Sequence, residues 1–311
     1  VKKIALSPYV YKVKGAKNYL LHDLSRERLF QLTPDGNIDQ LRDQLLRGEL
    51  AVETDGVVPF KYKLDIDQLK YSVELVELEV RLTGICSEEC PDCGHSCACY
   101  RDDNPERMGE DVFATILGQF GEGPGKVPVK QLVVTGGNPF LETERLKKIL
   151  DAIGAEQKFV VFKNSKKYSH EVDGCDIIPG RMRGNIISES SMDANDFSFF
   201  FRQTFHSCWG KKISLDVNGD IKLCLRHRLS FGNILRENVK KLIVNGTFDP
   251  YWELTKDNIP KCKDCEYRYA CIECRPHMEM PGENLEKPRQ CGYNPNTGEW
   301  KTPIVHNILK T

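Results

Sequence analysis

The chain has 311 residues, of which 40% are hydrophobic, and a formal net charge of −1. That length leaves room for two or three domains with real cores, and the near-neutral charge gives no electrostatic case for nucleic acid as a partner. Apolar runs such as QLVV and FVVF are far too short to span a bilayer, and VKKIALSPYVYKVKG has no continuous apolar stretch of the kind a signal peptide needs. The 13 cysteines are odd in number and tightly clustered. The expectation is a reducing, cytoplasmic setting, where such spacings mean metal sites or redox chemistry rather than disulfides.

In chain order, YVYKVK, KNYLLHDL and RLFQLT read as short strands, with turns at Lys14-Gly15 and Pro34-Asp35-Gly36. Ile38, Leu41, Leu45 and Leu46 recur at helical spacing up to Gly48. LAVETDGVVPFKYKL reads as a hairpin turning at Asp55-Gly56. Val76 to Leu82 alternates apolar and charged residues, the pattern of a strand, and a cysteine-rich loop follows it. A helix is predicted from Glu106 to about Phe120, a strand over VKQLVVTGG, a helix over Leu141 to Ile153, and strands over KFVVFKNS and CDIIP. Strands alternating with helices imply a parallel sheet, whose ligands bind at the carboxyl ends of the strands. KISLDVNGDIKLC reads as a hairpin turning at Asn218-Gly219.

Five cysteines fall within residues 86–99, and Cys86, Cys90 and Cys93 are spaced C-x3-C-x2-C. Three thiolates on one short loop can hold three corners of a cubane iron–sulfur cluster and leave the fourth iron open. A zinc knuckle on Cys90, Cys93, Cys97 and Cys99 is the alternative, although C-x-C is an awkward pair for a tetrahedral site. The three-cysteine spacing, after the first strand of the sheet, resembles the signature of the radical SAM (S-adenosylmethionine) superfamily. The resemblance implies that the open iron chelates the amino-acid part of SAM, and that one electron cleaves the sulfonium to give a 5′-deoxyadenosyl radical. Asp92 stands where the superfamily usually has an aromatic residue, and a carboxylate there would shift the cluster's potential.

Thr135 to Pro139 read TGGNP at the end of the next strand. Paired glycines let the backbone approach a ligand and expose its polar groups. The stretch resembles the superfamily's GGEP motif, whose backbone holds the SAM ammonium, with Asn138 in place of the usual Glu. By that resemblance Gly136, Gly137, Asn138 and Pro139 bind the cofactor. Lys163-Asn164-Ser165 ends the following strand and resembles the place where polar side chains, here Asn164 and Ser165, meet the SAM ribose; an ordinary strand-to-helix loop is the alternative. Arg181 and Arg183 are candidate partners of the SAM carboxylate.

The remaining cysteines follow the order Cys208-x10-Gly219-x4-Cys224, then Cys262-x2-Cys265-x5-Cys271-x2-Cys274, then Cys291. Two C-x2-C pairs also suit a zinc ribbon. The order resembles the SPASM extension of radical SAM enzymes that mature ribosomal peptides, with two residues rather than three before Cys274. CEYRYACIECRP and CGYNPNTGEW look like SPASM maturases encoded with ATP-grasp partners. The resemblance implies three 4Fe–4S clusters: one SAM-binding, a distal auxiliary cluster on Cys262, Cys265, Cys271 and Cys291, and a proximal one on Cys208, Cys224 and Cys274. No cysteine between 208 and 224 supplies a fourth proximal ligand. Cys97, Cys99 and Cys175 have no counterpart in the resemblance.

These readings together give an α/β fold class with three parts. Residues 1–72 form a small β-rich module, either a leader-peptide recognition element that captures a peptide as an added strand or a structural cap. Residues 73–205 form a partial, truncated βα radical SAM barrel, since at about 30 residues per βα unit roughly four of the superfamily's six units fit there. Residues 206–311 form the SPASM domain. The implied function is hydrogen abstraction from a precursor peptide, leading to a thioether or carbon–carbon cross-link. The implied partners are that peptide and an electron donor such as a flavodoxin or ferredoxin, with neither nucleic acid nor membrane. The competing readings are a non-catalytic Fe–S peptide-binding partner of a separate enzyme, a maturase acting on a protein, and a zinc-stabilised interaction protein.

Overall fold

The computed structural model describes residues 2–33, 41–57, 59–86, 106–162, 172–178, 187–227, 229–273, 287–288 and 291–301. Its first strand, β1 (Lys3–Leu6), precedes a three-stranded antiparallel meander of β2 (Val10–Lys14), β3 (Tyr19–Asp23) and β4 (Arg28–Leu32). The short helix α1 (Arg42–Arg47) ends where the periodicity predicts, at Gly48, whose N–H donates to the Gln44 carbonyl. The strand β5 (Ala51–Thr54) then pairs antiparallel with β1, from Lys3↔Thr54 to Leu6↔Ala51. The expected hairpin over LAVETDGVVPFKYKL is therefore not formed among the described residues. Gly56 does turn the chain, at φ 103°, but Pro59 beyond it has no N–H to give a ladder. Tyr62 donates instead to the Pro8 carbonyl, at 3.1 Å. Val10, Leu21, Leu45, Leu50 and Ala51 make a small core under this layer.

After the short helix α2 (Gln68–Tyr71), the chain enters the main sheet as β6 (Leu75–Thr83). The sheet is continued by α3 (Glu110–Phe120), β7 (Val129–Gly136), a 3-10 turn (Pro139–Glu142), α4 (Thr143–Ala152), β8 (Gln157–Val161) and β9 (Asp176–Ile178). Next come α5 (Asp196–Thr204), β10 (Lys212–Leu215) and β11 (Ile221–Lys222). The strand order is β11-β10-β6-β7-β8-β9, parallel from β10 to β9, with β11 antiparallel at one edge. Among the described residues this sheet is open, and it takes in Lys212–Leu215, well past residue 205.

One face of the sheet is apolar. Leu78, Val80, Leu82, Leu132, Val134 and Val160 are fully buried in one cluster with Phe113 and Ile116 of α3 and Leu146 and Ile149 of α4. Each such side chain is worth about 1.5–3 kcal/mol on leaving water. The expected helix start at Glu106 is four residues early. Arg107 instead bridges to Thr83, and the Gly84 N–H donates to the Glu106 carbonyl at 2.7 Å. Helical geometry begins only after Gly109.

Two further short helices, α6 (Val239–Val244) and α7 (Asp249–Trp252), lead to turns over 256–271 and to a small hairpin, β12 (Tyr293–Asn294) and β13 (Glu299–Trp300). The meander packs on this C-terminal layer. The Gln31 amide donates to Glu266 and to the Tyr293 hydroxyl, at 3.0 and 3.1 Å. The Ala16 N–H donates to the Asp264 carbonyl and the Lys17 ammonium to the Thr297 carbonyl. Leu20, Tyr267 and Tyr293 form the buried seam between them.

His22, on β3, is fully buried against Phe199 of α5. Burial holds its imidazole down to about 3, helped by the nearby Arg202 and Arg268 and opposed by the Glu266 backbone. The folded state thus keeps His22 neutral, while the unfolded chain protonates it near 6.5. The resulting stability is complete above pH 6.5 and is lost as pH falls from there towards 3, at about tenfold in the unfolding equilibrium per pH unit. Chemical unfolding at pH 7.5 and 5.5 should show this slope, and His22→Leu should flatten it. An equal slope in the variant would remove His22 as its source.

Candidate cofactor and cluster sites

Cys86, the first residue of the cysteine motif, and the TGGNP turn stand at the carboxyl edge of the parallel sheet. Cys86 follows β6 by three residues, the TGGNP turn closes β7, and Phe162, after β8, immediately precedes Lys163-Asn164-Ser165. Two contacts at that edge join backbone to backbone across β6 and β7. The Gly137 N–H donates to the Thr83 carbonyl at 2.9 Å, and the Asn138 N–H to the Ile85 carbonyl at 2.7 Å. Cys86 is exposed and lies one residue beyond that second bond. The chain that departs after Cys86 returns at Glu106 and Arg107, which pair with Gly84 and Thr83. The cysteine loop is therefore anchored at both ends beside the glycine turn. Arg107 also meets Glu142 of the 3-10 turn at 3.0 Å.

This geometry explains the glycines. A Cβ on Gly136 would meet the Thr83 carbonyl, and one on Gly137 would run into the carbonyls of Ile85 and Gly84. The expected exposed N–H of Gly137 is thus already spent on its own chain. Asn138 is fully buried, and its side-chain oxygen caps the 3-10 turn by accepting from the Phe140 N–H at 3.1 Å. Pro139, also buried, opens that turn. Gly137→Ala must push fixed backbone aside at the loop's root, an overpacking cost of about 1–3 kcal/mol. Thermal unfolding should register it, and an unchanged midpoint would show that the contact gives way freely.

Cys90, Cys93, Cys97, Cys99, Asn164, Ser165, Arg181, Arg183 and Cys274 lie outside the described residues. Cys175 is described. It stands at the amino end of β9, the opposite end of the parallel sheet from Cys86, with its thiol pushed up by burial.

The second face of the sheet was not anticipated. Glu79, Arg81, Thr83, Thr135, Lys212 and Ser214 are all buried on it. Lys212 on β10 lies 2.7 Å from Glu77 and 2.8 Å from Glu79 on β6, and the Ser214 hydroxyl donates to Glu79 at 2.7 Å. The alternation in VELEVRLT is thus not apolar-in and charged-out: both sets are inside. A buried polar row below the carboxyl edge is what a polar ligand needs. The signal was present in KISL, whose Lys and Ser alternate in register with Glu77 and Glu79 of β6.

The distal set converges. Cys262, Cys265, Cys271 and Cys291 line one cavity, with Lys256, Lys261, Arg268 and Lys287 around it. Burial pushes these thiols up: Cys265 well above its ordinary value, Cys271 to about 11, and Cys291 upward as well. Bare, these three are neutral, and a bound metal would deprotonate them and place negative charge among the four cations. Among the described residues, no three His, Cys, Asp or Glu gather closely enough to hold a single ion. Soft thiolates around one cavity suit zinc and iron–sulfur clusters alike.

Of the proximal set, Cys224 is buried and Cys208 half-buried. The N–H groups of Cys208 and Trp209 both donate to His206 Nδ1 at 3.1 Å, so His206 carries its proton on Nε2, 3.0 Å from Glu273. Lys256 reaches the Ser207 hydroxyl at 3.1 Å and the Cys271 carbonyl at 2.9 Å. This network ties the Cys208 turn to Cys271, which forms an isolated antiparallel bridge with Met192. No motif in the sequence flags it.

The molecule is a mixed α/β protein built on a parallel sheet, and none of its described helices is long and apolar enough to cross a membrane. No protein-family model and no curated protein matches the chain. Among solved structures it is similar to BtrN in an open conformation, at 12% identity and TM-score 0.32 over 61% of this chain and 92% of that one. BtrN in complex with AdoMet and 2-DOIA gives 10% and 0.32 over 63% and 92%. Streptococcus suis SuiB bound to the precursor peptide SuiA gives 9% and 0.29 over 88% and 96%. Likenesses at these scores carry no argument about activity.

Proposed function

We propose that the chain is a radical SAM enzyme with a SPASM extension, acting on a ribosomally made peptide by hydrogen abstraction that leads to a thioether or carbon–carbon cross-link. The observation that carries this reading is the root of the cysteine loop. The first thiol of C-x3-C-x2-C emerges at the carboxyl end of β6, hydrogen-bonded through Ile85 to the glycine turn that ends β7. In this reading Cys86, Cys90 and Cys93 hold the SAM cluster, and SAM lies along Gly136 to Pro139 with Asn164 and Ser165 at its ribose. The cluster, when bound, supplies the electron that cleaves SAM. The chain's own part is positional: the anchored loop fixes Cys86, and the buried row of Glu79, Lys212 and Ser214 offers polar contacts below it.

Cys262, Cys265, Cys271 and Cys291 hold the distal cluster; Cys208, Cys224 and Cys274 hold the proximal one. A flavodoxin or ferredoxin would supply electrons. The N-terminal layer supports a peptide partner. β4 is an edge strand among the described residues, and beside it runs a groove of about 410 Å³ lined by Phe30, Leu32, Leu41, Leu45 and Leu50. A leader peptide would add there as a strand, its apolar side chains in the groove.

One observation favours a non-catalytic peptide-binding partner instead: the Asn138 side chain is committed to capping its turn. One assay separates the two. Anaerobically reconstituted protein with SAM and a strong reductant should yield 5′-deoxyadenosine, and Cys86→Ala/Cys90→Ala/Cys93→Ala should abolish it. Clusters present without SAM binding or product would reject catalysis and leave the partner reading.

A further inference from the structure

We infer that Lys256 raises the reduction potential of the group held by Cys262, Cys265, Cys271 and Cys291, and that Glu273 lowers it. This rests on the reading that those four cysteines hold an iron–sulfur cluster. All six residues line one cavity. Lys256 and Glu273 are its two buried charged residues, at 4% and 1% exposure. Reduction adds one electron to a cluster, and so one negative charge. In a wall of low dielectric a fixed positive charge favours that state and a fixed negative one opposes it.

The backbone fixes Lys256 in place. It opens a 3-10 turn, Lys256–Asn258, whose start is closed by a capping box between Thr255 and Asn258. Its ammonium donates to the Cys271 carbonyl at 2.9 Å and to the Ser207 hydroxyl at 3.1 Å. The charge is thereby held against the backbone of one of the four cysteines. Glu273 lies 3.8 Å away, too far for a direct hydrogen bond. The Glu273 carboxylate instead meets His206 Nε2 at 3.0 Å. The two charges therefore stand at separate points of one wall, each with its own field on the cavity. A buried ammonium needs an anion, and a cluster on four thiolates supplies one.

The other three cations of the cavity are weaker sources. Arg268 is paired with Asp257 at 2.9 Å, which offsets its charge. Lys261 is exposed and Lys287 half-buried, so water and salt screen both. Lys256 is the cation that solvent does not reach. A purely bracing role is the competing account, because the ammonium also joins the Ser207 and Cys271 backbones. The two accounts differ in sign. If the pair only braced the wall, losing either member would loosen it and let in water, moving the potential in one direction. If charge is what acts, neutralising Lys256 and neutralising Glu273 move it in opposite directions.

The test uses the full chain carrying Cys86→Ala/Cys90→Ala/Cys93→Ala/Cys224→Ala, which leaves the four cavity cysteines as the intact ligand set. It is reconstituted with iron and sulfide, and a redox titration followed by EPR gives the midpoint. Lys256→Met should lower the ratio of reduced to oxidised cluster about tenfold at a fixed solution potential, or about 59 mV for one electron. Lys256→Arg, which keeps the charge, should hold the midpoint. Glu273→Gln, which keeps an acceptor for His206, should raise it. An unchanged midpoint in Lys256→Met overturns the inference and leaves the cluster reading standing. So does an equal fall in Lys256→Arg, or a shift in the same direction for Lys256→Met and Glu273→Gln. Should Lys256→Met lose its cluster, Glu273→Gln decides alone, and a midpoint unchanged or lowered there overturns the inference. A parent protein that binds no iron and sulfide, or that keeps them after Cys262→Ala/Cys265→Ala, removes the cluster reading at this cavity and the inference with it.

Discussion

Lys212→Ala is expected to be among the most damaging single changes in the sheet, costing about 3–5 kcal/mol. The ammonium is only 2% exposed and sits between Glu77 at 2.7 Å and Glu79 at 2.8 Å. Removing it leaves two carboxylates facing each other on the same strand, one of them Glu79, itself 2% exposed. Glu79 cannot regain water without opening the β6–β10 pairing, whereas Glu77 is 13% exposed. The Ser214 hydroxyl, which donates to Glu79, stabilises one oxygen but carries no charge. Pairing therefore matters more than packing here. Lys212→Met, which fills the space without the charge, should be nearly as harmful as Lys212→Ala. Lys212→Met combined with Glu77→Gln and Glu79→Gln should recover most of the loss, because breaking a buried pair costs far more than deleting all of its charges. Denaturant unfolding of the three variants decides this. A loss below about 1 kcal/mol for Lys212→Ala would mean that the carboxylates reach solvent or another cation.

That buried row also marks where the sequence stopped being readable. Alternation in VELEVRLT identifies β6 correctly, because a period of two is enough to define a strand. It does not say that the charged face is inside, since only pairing with Lys212 and Ser214, more than 130 residues later, makes burial tolerable. The partner of β5 was hidden for a similar reason. Asp55-Gly56 is a true turn, but hydrogen-bonding β5 to β1 rather than to the residues after Pro59 is decided by tertiary packing over Leu45 and Leu50. The family resemblance, not the spacing alone, grouped Cys262, Cys265, Cys271 and Cys291, and these four line one cavity. What spacing could not supply was the supporting shell. His206, Glu273 and Lys256 meet only after folding, and single histidines carry no pattern.

Stripping the metal from the reconstituted protein is expected to loosen the C-terminal layer and the meander docked on it while the sheet stays folded. Residues 256–273 are held by turns, and the described strands near them, β12 and β13, have two residues each. The apolar seam there, built on Leu20, Tyr267 and Tyr293, is small. Such a layer gains little from burial, whereas structural metal binding to thiolates contributes on the order of 10 kcal/mol in small cysteine sites. The sheet has its own large core around Val80, Val134 and Ile149, to which Cys262, Cys265, Cys271 and Cys291 do not belong. Hydrogen exchange before and after anaerobic chelation reads both regions at once. Protection should fall at Cys271, whose N–H donates to the Tyr267 carbonyl, and at Ala16, whose N–H donates to the Asp264 carbonyl. It should hold at Val80 and Val134 in the middle of β6 and β7. The loss at Ala16 is the sharper half of the expectation, because that residue is far from any cysteine in sequence and is coupled to them only by docking. Equal protection at Ala16 and Cys271 with and without metal would mean that the four thiols contribute nothing to holding this layer, and the cluster assignment at Cys262, Cys265, Cys271 and Cys291 would fall with it.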